Sequence, residues 1–216
     1  MTLDDCRSRR YHRPDGPGWD SGGPSGIYLH MTDILARDLA ATEATVRSAA
    51  TGDELAFARL VAEHHAAMAR VAYVILGDAD ATRDATQSAW TIAWRRIGSL
   101  RDPLQVRPWL VVIAANEARQ AIRRRRREPV IDISDVVERN SIGDPGETAE
   151  LVDLRAALHN LKPEDRSLLA MRFAAGLDSH EIAQQMGLSA SGVRSRLART
   201  LERLRADLAL DLEIGR

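Results

Sequence analysis

With 216 residues, 30 basic against 31 acidic side chains and a formal charge of −1, the chain has room for one ordinary domain or two small ones. It has no global basic field, so any nucleic-acid surface must come from segregation of charge along the sequence. A single cysteine, Cys6, excludes a disulfide framework and a thiol zinc cluster. No signal-peptide pattern and no run of ~20 apolar residues appears, so a soluble cytoplasmic protein is expected.

Residues 1 to about 30, centred on RPDGPGWDSGGPSG, are crowded with Gly, Pro, Ser and Asp. This composition predicts a disordered N-terminal extension reaching residue 41, within which Met31 is a second candidate start. A short helix is expected from about Thr42 to Ala50, followed by a break at Gly52-Asp53. Phe57, Leu60, Val61, His64, Met68, Val71, Ala72 and Ile75 then share one face of a long helix that Gly77 ends. His64 and His65 point in different directions on that helix and lack an acidic or thiol partner at ligand spacing, so no metal site is expected.

The next helix, about Asp80 to Ile97, turns Ala89, Trp90, Ala93, Trp94 and Ile97 inward and leaves Asp84, Gln87, Thr91 and Arg95 on an exposed stripe. Such a stripe is either solvated or a docking face. After a loop, Gly98 to Arg107, Pro108 occupies an N1-like position. Trp109, Leu110, Ile113, Ala114 and Ile122 carry a helix into the unbroken run Arg123 to Arg127. Trp90, Trp94 and Trp109 fall at core positions, which favours packing over base stacking. Taken alone, such an arginine run is more often a solvated helix end than a reading surface, and only its place after PWLVVIAAN at Pro108 to Asn116 favours DNA contact.

Residues 128–147 hold Asp132, Asp135, Glu138, Asp144 and Glu147 among Pro129, Gly143, Pro145 and Gly146, the composition of a flexible acidic linker. Helices follow at about 148–160 and 163–175. From Asp178 to Arg199 the layout is helix, tight turn and arginine-rich helix. Asp178 and Glu181 form a capping box, Ile182, Ala183 and Met186 are the apolar side, and Gly187 stops the first helix. Ser189 caps the second, in which Val193, Leu197, Leu201 and Leu204 must face a core, leaving Ser191, Arg194, Ser195 and Arg199 outward. This is the pattern of a DNA-reading helix-turn-helix. No β-period appears anywhere. The expected fold is all-α: two small helical domains, 42–127 and 148–210, joined by the acidic linker 128–147, with a tail at 211–216. No phosphate loop, nucleophile elbow or paired carboxylates are found, so no catalytic residue, cofactor or small-molecule substrate is expected.

Over residues 42 to 208 the chain resembles bacterial sigma factors of the sigma-70 family, extracytoplasmic-function group. The resemblance rests on Gly52-Asp53, LGD at Leu76 to Asp78, DATQSAW at Asp84 to Trp90 and PWLVVIAAN at Pro108 to Asn116 leading into RRRRR. In the second half it rests on LKPEDRSLLAMRF at Leu161 to Phe173, HEIAQQMGLS at His180 to Ser189 and VRSRLAR at Val193 to Arg199. It implies that the first domain docks on core RNA polymerase through Asp84 and Gln87, with Thr91 beside them on the stripe. It further implies that the Gly98–Arg107 loop captures a flipped base of the minus-ten promoter element, and that Asn116, Arg119, Gln120, Arg123 and Arg124 meet that element's strand and phosphates. For the second domain it implies a recognition helix in the major groove of the minus-thirty-five element, with Ser191, Arg194 and Ser195 at base edges and Arg196 and Arg199 on phosphates. The acidic linker would thread toward the polymerase cleft, although a solvated tether fits the composition equally.

Several positions depart from the family pattern. Gly192 stands where threonine is frequent and weakens its helix by about 1 kcal/mol relative to alanine. IAAN replaces the more usual IARN, and Arg119 falls near a position that is commonly acidic. An anti-sigma factor, often membrane-bound, is the further partner implied. The competing readings are a free-standing helix-turn-helix regulator that binds DNA without polymerase, and a protein-binding adaptor that titrates a regulator.

Overall fold

The computed structural model describes residues 25–127 and 148–214, with residues 25–35, 149 and 209–214 given as backbone alone. Most of the N-terminal extension, the acidic segment expected as a linker and the last two residues lie outside the described residues. The chain divides into two compact units, residues 1–39 and 40–216. The first contributes the opening turns of α1, and the second contains everything below.

The described elements are helical, in agreement with the all-α expectation. They are α1 (Ser25–Ala50), α2 (Glu54–Leu76), α3 (Ala79–Arg96), α4 (Val106–Arg127), α5 (Ala149–Asn160), α6 (Pro163–Leu169), α7 (Ser179–Met186) and α8 (Ala190–Ile214). Helix α1 starts well before Thr42, so the extension expected to be disordered is helical over residues 25–41. Among residues 36–50 of α1 the buried side chains are Val46 and Ala49, and residues 36–41 are exposed. An exposed stretch of helix such as 36–41 leaves no apolar periodicity for a sequence to show.

Local signals set the other boundaries. Asp53 caps α2, its Oδ1 accepting from the backbone N–H of Leu55 at 2.9 Å and of Ala56 at 3.1 Å, and Gly77 ends the helix at φ +68°. Asp78 then caps α3 through the Ala81 N–H at 2.6 Å. The loop expected over 98–107 winds into two 3₁₀ turns, Ile97–Ser99 and Pro103–Gln105. The helix expected over 163–175 is α6 followed by a π-helical turn, Ala170–Ala174, after which Gly176 adopts φ +68°.

Two apolar clusters hold the second unit together. One joins the end of α1 to α2, α3 and the start of α4 through Val46, Leu60, Met68, Ala89, Ala93, Ile97, Val106 and Leu110. The other draws Val71, Ile75, Ala85, Val111 and Ala115 of the first helical set into one core with Leu161, Leu168, Met171, Leu177, Ile182, Val193 and Leu197 of the second. Each fully buried Leu, Ile or Met contributes roughly 1.5–3 kcal/mol. Arginines stitch the same seam. Arg166, itself buried, donates from Nη1 to the Ile75 carbonyl at 2.6 Å and from Nη2 to the His159 carbonyl at 2.7 Å. Arg107 donates to the Ala175 carbonyl and Arg70 to the Ala174 carbonyl at 3.4 Å. These carbonyls close helical turns and have no partner within their own helix, so long donors from a neighbour satisfy them.

Candidate nucleic-acid interface

The helix-turn-helix is built as the sequence predicts. Asp178 Oδ1 accepts from the N–H groups of His180 and Glu181 at 2.7 and 2.8 Å, and Glu181 Oε2 accepts from the Asp178 N–H at 2.7 Å. Two orphan donors and the cap's own amide are thereby satisfied. Gly187, at φ +66°, turns the chain, and Ser189 Oγ accepts from the Gly192 N–H at 3.0 Å to start α8. Val193, Leu197 and Thr200 face inward, and Ser191, Arg194, Ser195 and Arg199 are all exposed. Arg199 lies along the helix with Nε 3.3 Å from the Ser195 carbonyl.

Arg196 is half-buried and bonded within the protein. Its Nε donates to Asp165 Oδ1 of α6 at 2.7 Å, and Arg203 Nη2 donates to the same carboxylate's Oδ2 at 2.7 Å. Asp165 is 4% exposed. Burial alone would raise its carboxyl, but the bonds from Arg196 and Arg203 prevail and hold it below the usual carboxylate value. Sequence reasoning missed this group. The available signal was the spacing of Arg196, Thr200 and Arg203 on the flank between the apolar seam and the exposed face; their partner lies 31 positions from Arg196.

On α3, Asp84, Gln87, Thr91 and Arg95 are all exposed, as the stripe requires. Thr91 Oγ1 donates to the Gln87 carbonyl at 3.1 Å. Behind the stripe Phe57 meets Trp90 and Trp94 edge-on, at ring distances of 5.6 and 4.9 Å, and Trp90 Nε1 donates to His65 Nδ1 at 3.2 Å. Packing therefore accounts for Trp90, and Trp109 is likewise half-buried against the first cluster. Trp94 is more open than expected, at 38% exposed. His64 is buried and His65 exposed.

On α4 the predicted minus-ten residues separate into two groups. Gln120, Arg123 and Arg124 are exposed, as is the rest of the arginine run, with Arg125 3.6 Å from Asp78. Asn116 and Arg119 are half-buried and bonded to each other, the guanidinium donating to Asn116 Oδ1. Burial depresses the Arg119 guanidinium; Glu164 opposes the shift, and Arg123 and Arg196 add to it. Gln120 Nε2 donates to Glu117 Oε1 at 2.8 Å.

Two concavities flank these faces. Ser99, Leu100, Arg101, Asp102, Gln105 and Trp109 line a cleft of about 240 Å³ against Gln184 and Gln185 of α7, and Gln105 Oε1 is buried there without a hydrogen-bond partner. The cleft lies where the 98–107 loop and the start of α4 meet α7. The other is an apolar groove of about 360 Å³ between Val74, Leu154, Leu158, Leu169, Leu201 and Leu204, edged by Phe173, which is 64% exposed. Among the described residues no cluster of His, Cys, Asp or Glu could hold a metal ion, and no helix is long and apolar enough to cross a membrane.

Comparison with known proteins matches two family models: Sigma-70 region 2 over residues 60–128 and Sigma-70, region 4 over residues 151–204. The probable RNA polymerase sigma factor RfaY of Xanthomonas campestris pv. campestris is 32% identical over 168 residues, which cover 74% of this chain and 42% of that protein. The ECF RNA polymerase sigma factor SigM of Mycobacterium tuberculosis is 30% identical over 153 residues, covering 71% and 77%. In fold, the chain is similar to the sigma factor RpoE of Bartonella quintana, solved in complex with the anti-sigma factor NepR. There the TM-score is 0.56 at 21% identity, covering 72% of this chain and 98% of that one.

Proposed function

The chain belongs to the sigma-70 family, in its extracytoplasmic-function group, and from that premise we propose that it is a dissociable sigma subunit of RNA polymerase that selects promoters and directs initiation. The observation that carries the proposal is the presence in one chain of both matched regions, each with an open face of the required chemistry. These are the polar stripe Asp84, Gln87 and Thr91 on α3 and the Ser191, Arg194 and Ser195 face of α8.

In this reading residues 42–127 form the polymerase-binding and minus-ten domain and residues 148–210 the minus-thirty-five domain. Small polar groups on a rigid helix suit a docking face on the polymerase. Gln120, Arg123 and Arg124 approach the minus-ten strand and its phosphates, and Asn116 and Arg119 join them once uncovered. Ser191, Arg194 and Ser195 read base edges upstream while Arg199 holds a phosphate. The 98–107 cleft receives the flipped base, recovering by stacking and hydrogen bonds the few kcal/mol that unstacking costs. The acidic segment 128–147 tethers the two domains. The protein performs no chemistry of its own, catalysis belonging to the polymerase, and it acts in the cytoplasm. An anti-sigma factor is a further partner, by analogy with the Bartonella protein, and the apolar groove beside Phe173 is a surface that a protein partner would cover.

Run-off transcription from a promoter library, with purified core polymerase and with or without this protein, tests the function. Start sites that appear only with the protein and share paired upstream elements are expected. Sequence-specific DNA binding that ignores polymerase, with no new start sites, would overturn the proposal in favour of a free-standing regulator.

A further inference from the structure

Asp165 is almost completely buried, an environment in which a lone carboxylate is costly. Two charge-assisted bonds from α8 compensate it, from Arg196 and from Arg203, both at 2.7 Å. The two arginines stand two turns apart on α8, so one carboxylate grips the helix at two levels. This constrains both its distance from α6 and its rotation about its own axis. Thr200, wholly buried between them, donates to the Arg196 carbonyl of the same helix at 2.8 Å, which satisfies its hydroxyl on the side that faces the core.

Rotation of α8 decides what a groove would meet. At about 100° per residue, Arg196 and Arg203 project within about 20° of each other and roughly 160–180° from Arg194. Arg196 therefore belongs to the gripped flank, although Arg194 and Ser195 just before it belong to the open face.

We propose that Asp165 is the positioning residue for upstream promoter reading: by holding Arg196 and Arg203 it sets the rotation of α8 and withholds Arg196 from the phosphate-binding set. The inference rests on the sigma-factor reading above. It means that α8 supplies less sequence-independent attraction than its arginine count suggests, which leaves more of its discrimination to Ser191, Arg194 and Ser195.

The test uses full-length protein with core polymerase, measuring promoter affinity as a function of salt and against a panel of minus-thirty-five variants. Each phosphate neutralised steepens the log–log salt slope by about 0.9. Arg199→Gln should flatten the slope by about that amount, and Arg196→Gln should leave it unchanged. Asp165→Asn should release Arg196 to a phosphate, steepening the slope by about 0.9, and lower upstream discrimination about fivefold, the low end of what one placed base contact contributes. Asp165→Glu, which keeps the charge within reach, should recover most of both. The proposal is overturned if Arg196→Gln flattens the slope as Arg199→Gln does, or if a folded Asp165→Asn protein matches wild type in slope and discrimination. Should Asp165→Asn fail to fold, the Arg196 and Arg199 comparison decides alone. A wild-type holoenzyme indifferent to its upstream element would identify the sigma-factor reading as the failure, and the proposal would fall with it.

Discussion

Arg194 and Arg196 are two positions apart on α8 and end in different chemistry: one is exposed, the other bonded to a buried carboxylate. Arg194→Ala should therefore change base preference at the upstream element, with about 1–3 kcal/mol of discrimination at stake. Activity lost equally on every promoter variant would make Arg194 a phosphate contact instead. The outward side chains of α8 were legible from periodicity because exposure follows from the 3.6-residue repeat. The Asp165 pair was not, because it joins residues whose proximity only the fold creates. Two histidines carry a second prediction at this scale. Burial lowers His64, with Glu63 opposing and Arg107 adding; burial also lowers His159, reinforced by Arg166 and Arg155. Above the ordinary value of 6.5 both are neutral in either state. As pH falls through that value, the unfolded chain takes up protons that the folded chain refuses, so stability declines with acidification. Calorimetry should find a lower Tm at about pH 5.5 than at about pH 7.5, and an unchanged Tm would contradict neutral buried imidazoles.

Helix boundaries were readable where a cap or a left-handed glycine marks them, as at Asp53, Gly77, Asp178 and Gly187. They were unreadable where the cause is packing or its absence. Residues 36–41 of α1 are exposed and carry no apolar pattern, and the π-helical turn after α6 adds a residue that a 3.6-residue count does not register. The short helix α7 depends on its capping box more than a long helix would, since eight residues are too few to persist on propensity alone. Asp178→Ala should consequently lower the Tm and reduce amide protection across α7 before any other helix. Hydrogen exchange resolved by segment is the measurement, and uniform loss across all helices would show that α7 is held by its packing instead.

Sequence patterns marked two sets of helices but could not show that they share a core. The apolar face of α2 reads the same whether it packs against its own set or another. In the structure its first half serves one cluster and its second half, Val71 to Leu76, serves the cluster shared with the second set. Leu168 lies wholly buried in that shared cluster, so Leu168→Ala should cost about 2–5 kcal/mol. It should shift the unfolding of both sets together, in one transition; two separated transitions by circular dichroism and tryptophan fluorescence would show that the sets melt independently.

The seam between the sets has a character that its hydrogen bonds conceal. Arg70, Arg107 and Arg166 each end on a backbone carbonyl, which satisfies a donor without cancelling its charge. Arg126 lies near enough to Arg166, and Arg123 and Arg196 near enough to Arg119, to depress those guanidiniums, with Glu164 alone opposing at Arg119. Asp165 balances Arg196 and Arg203 at the edge of this seam, but the guanidiniums that end on carbonyls keep their charge, and dissolved ions that reach the exposed ones screen their mutual repulsion. Ions also weaken attraction to the DNA backbone. Ionic strength is therefore expected to act twice in the same direction, easing repulsion within the protein as it loosens the hold on a promoter.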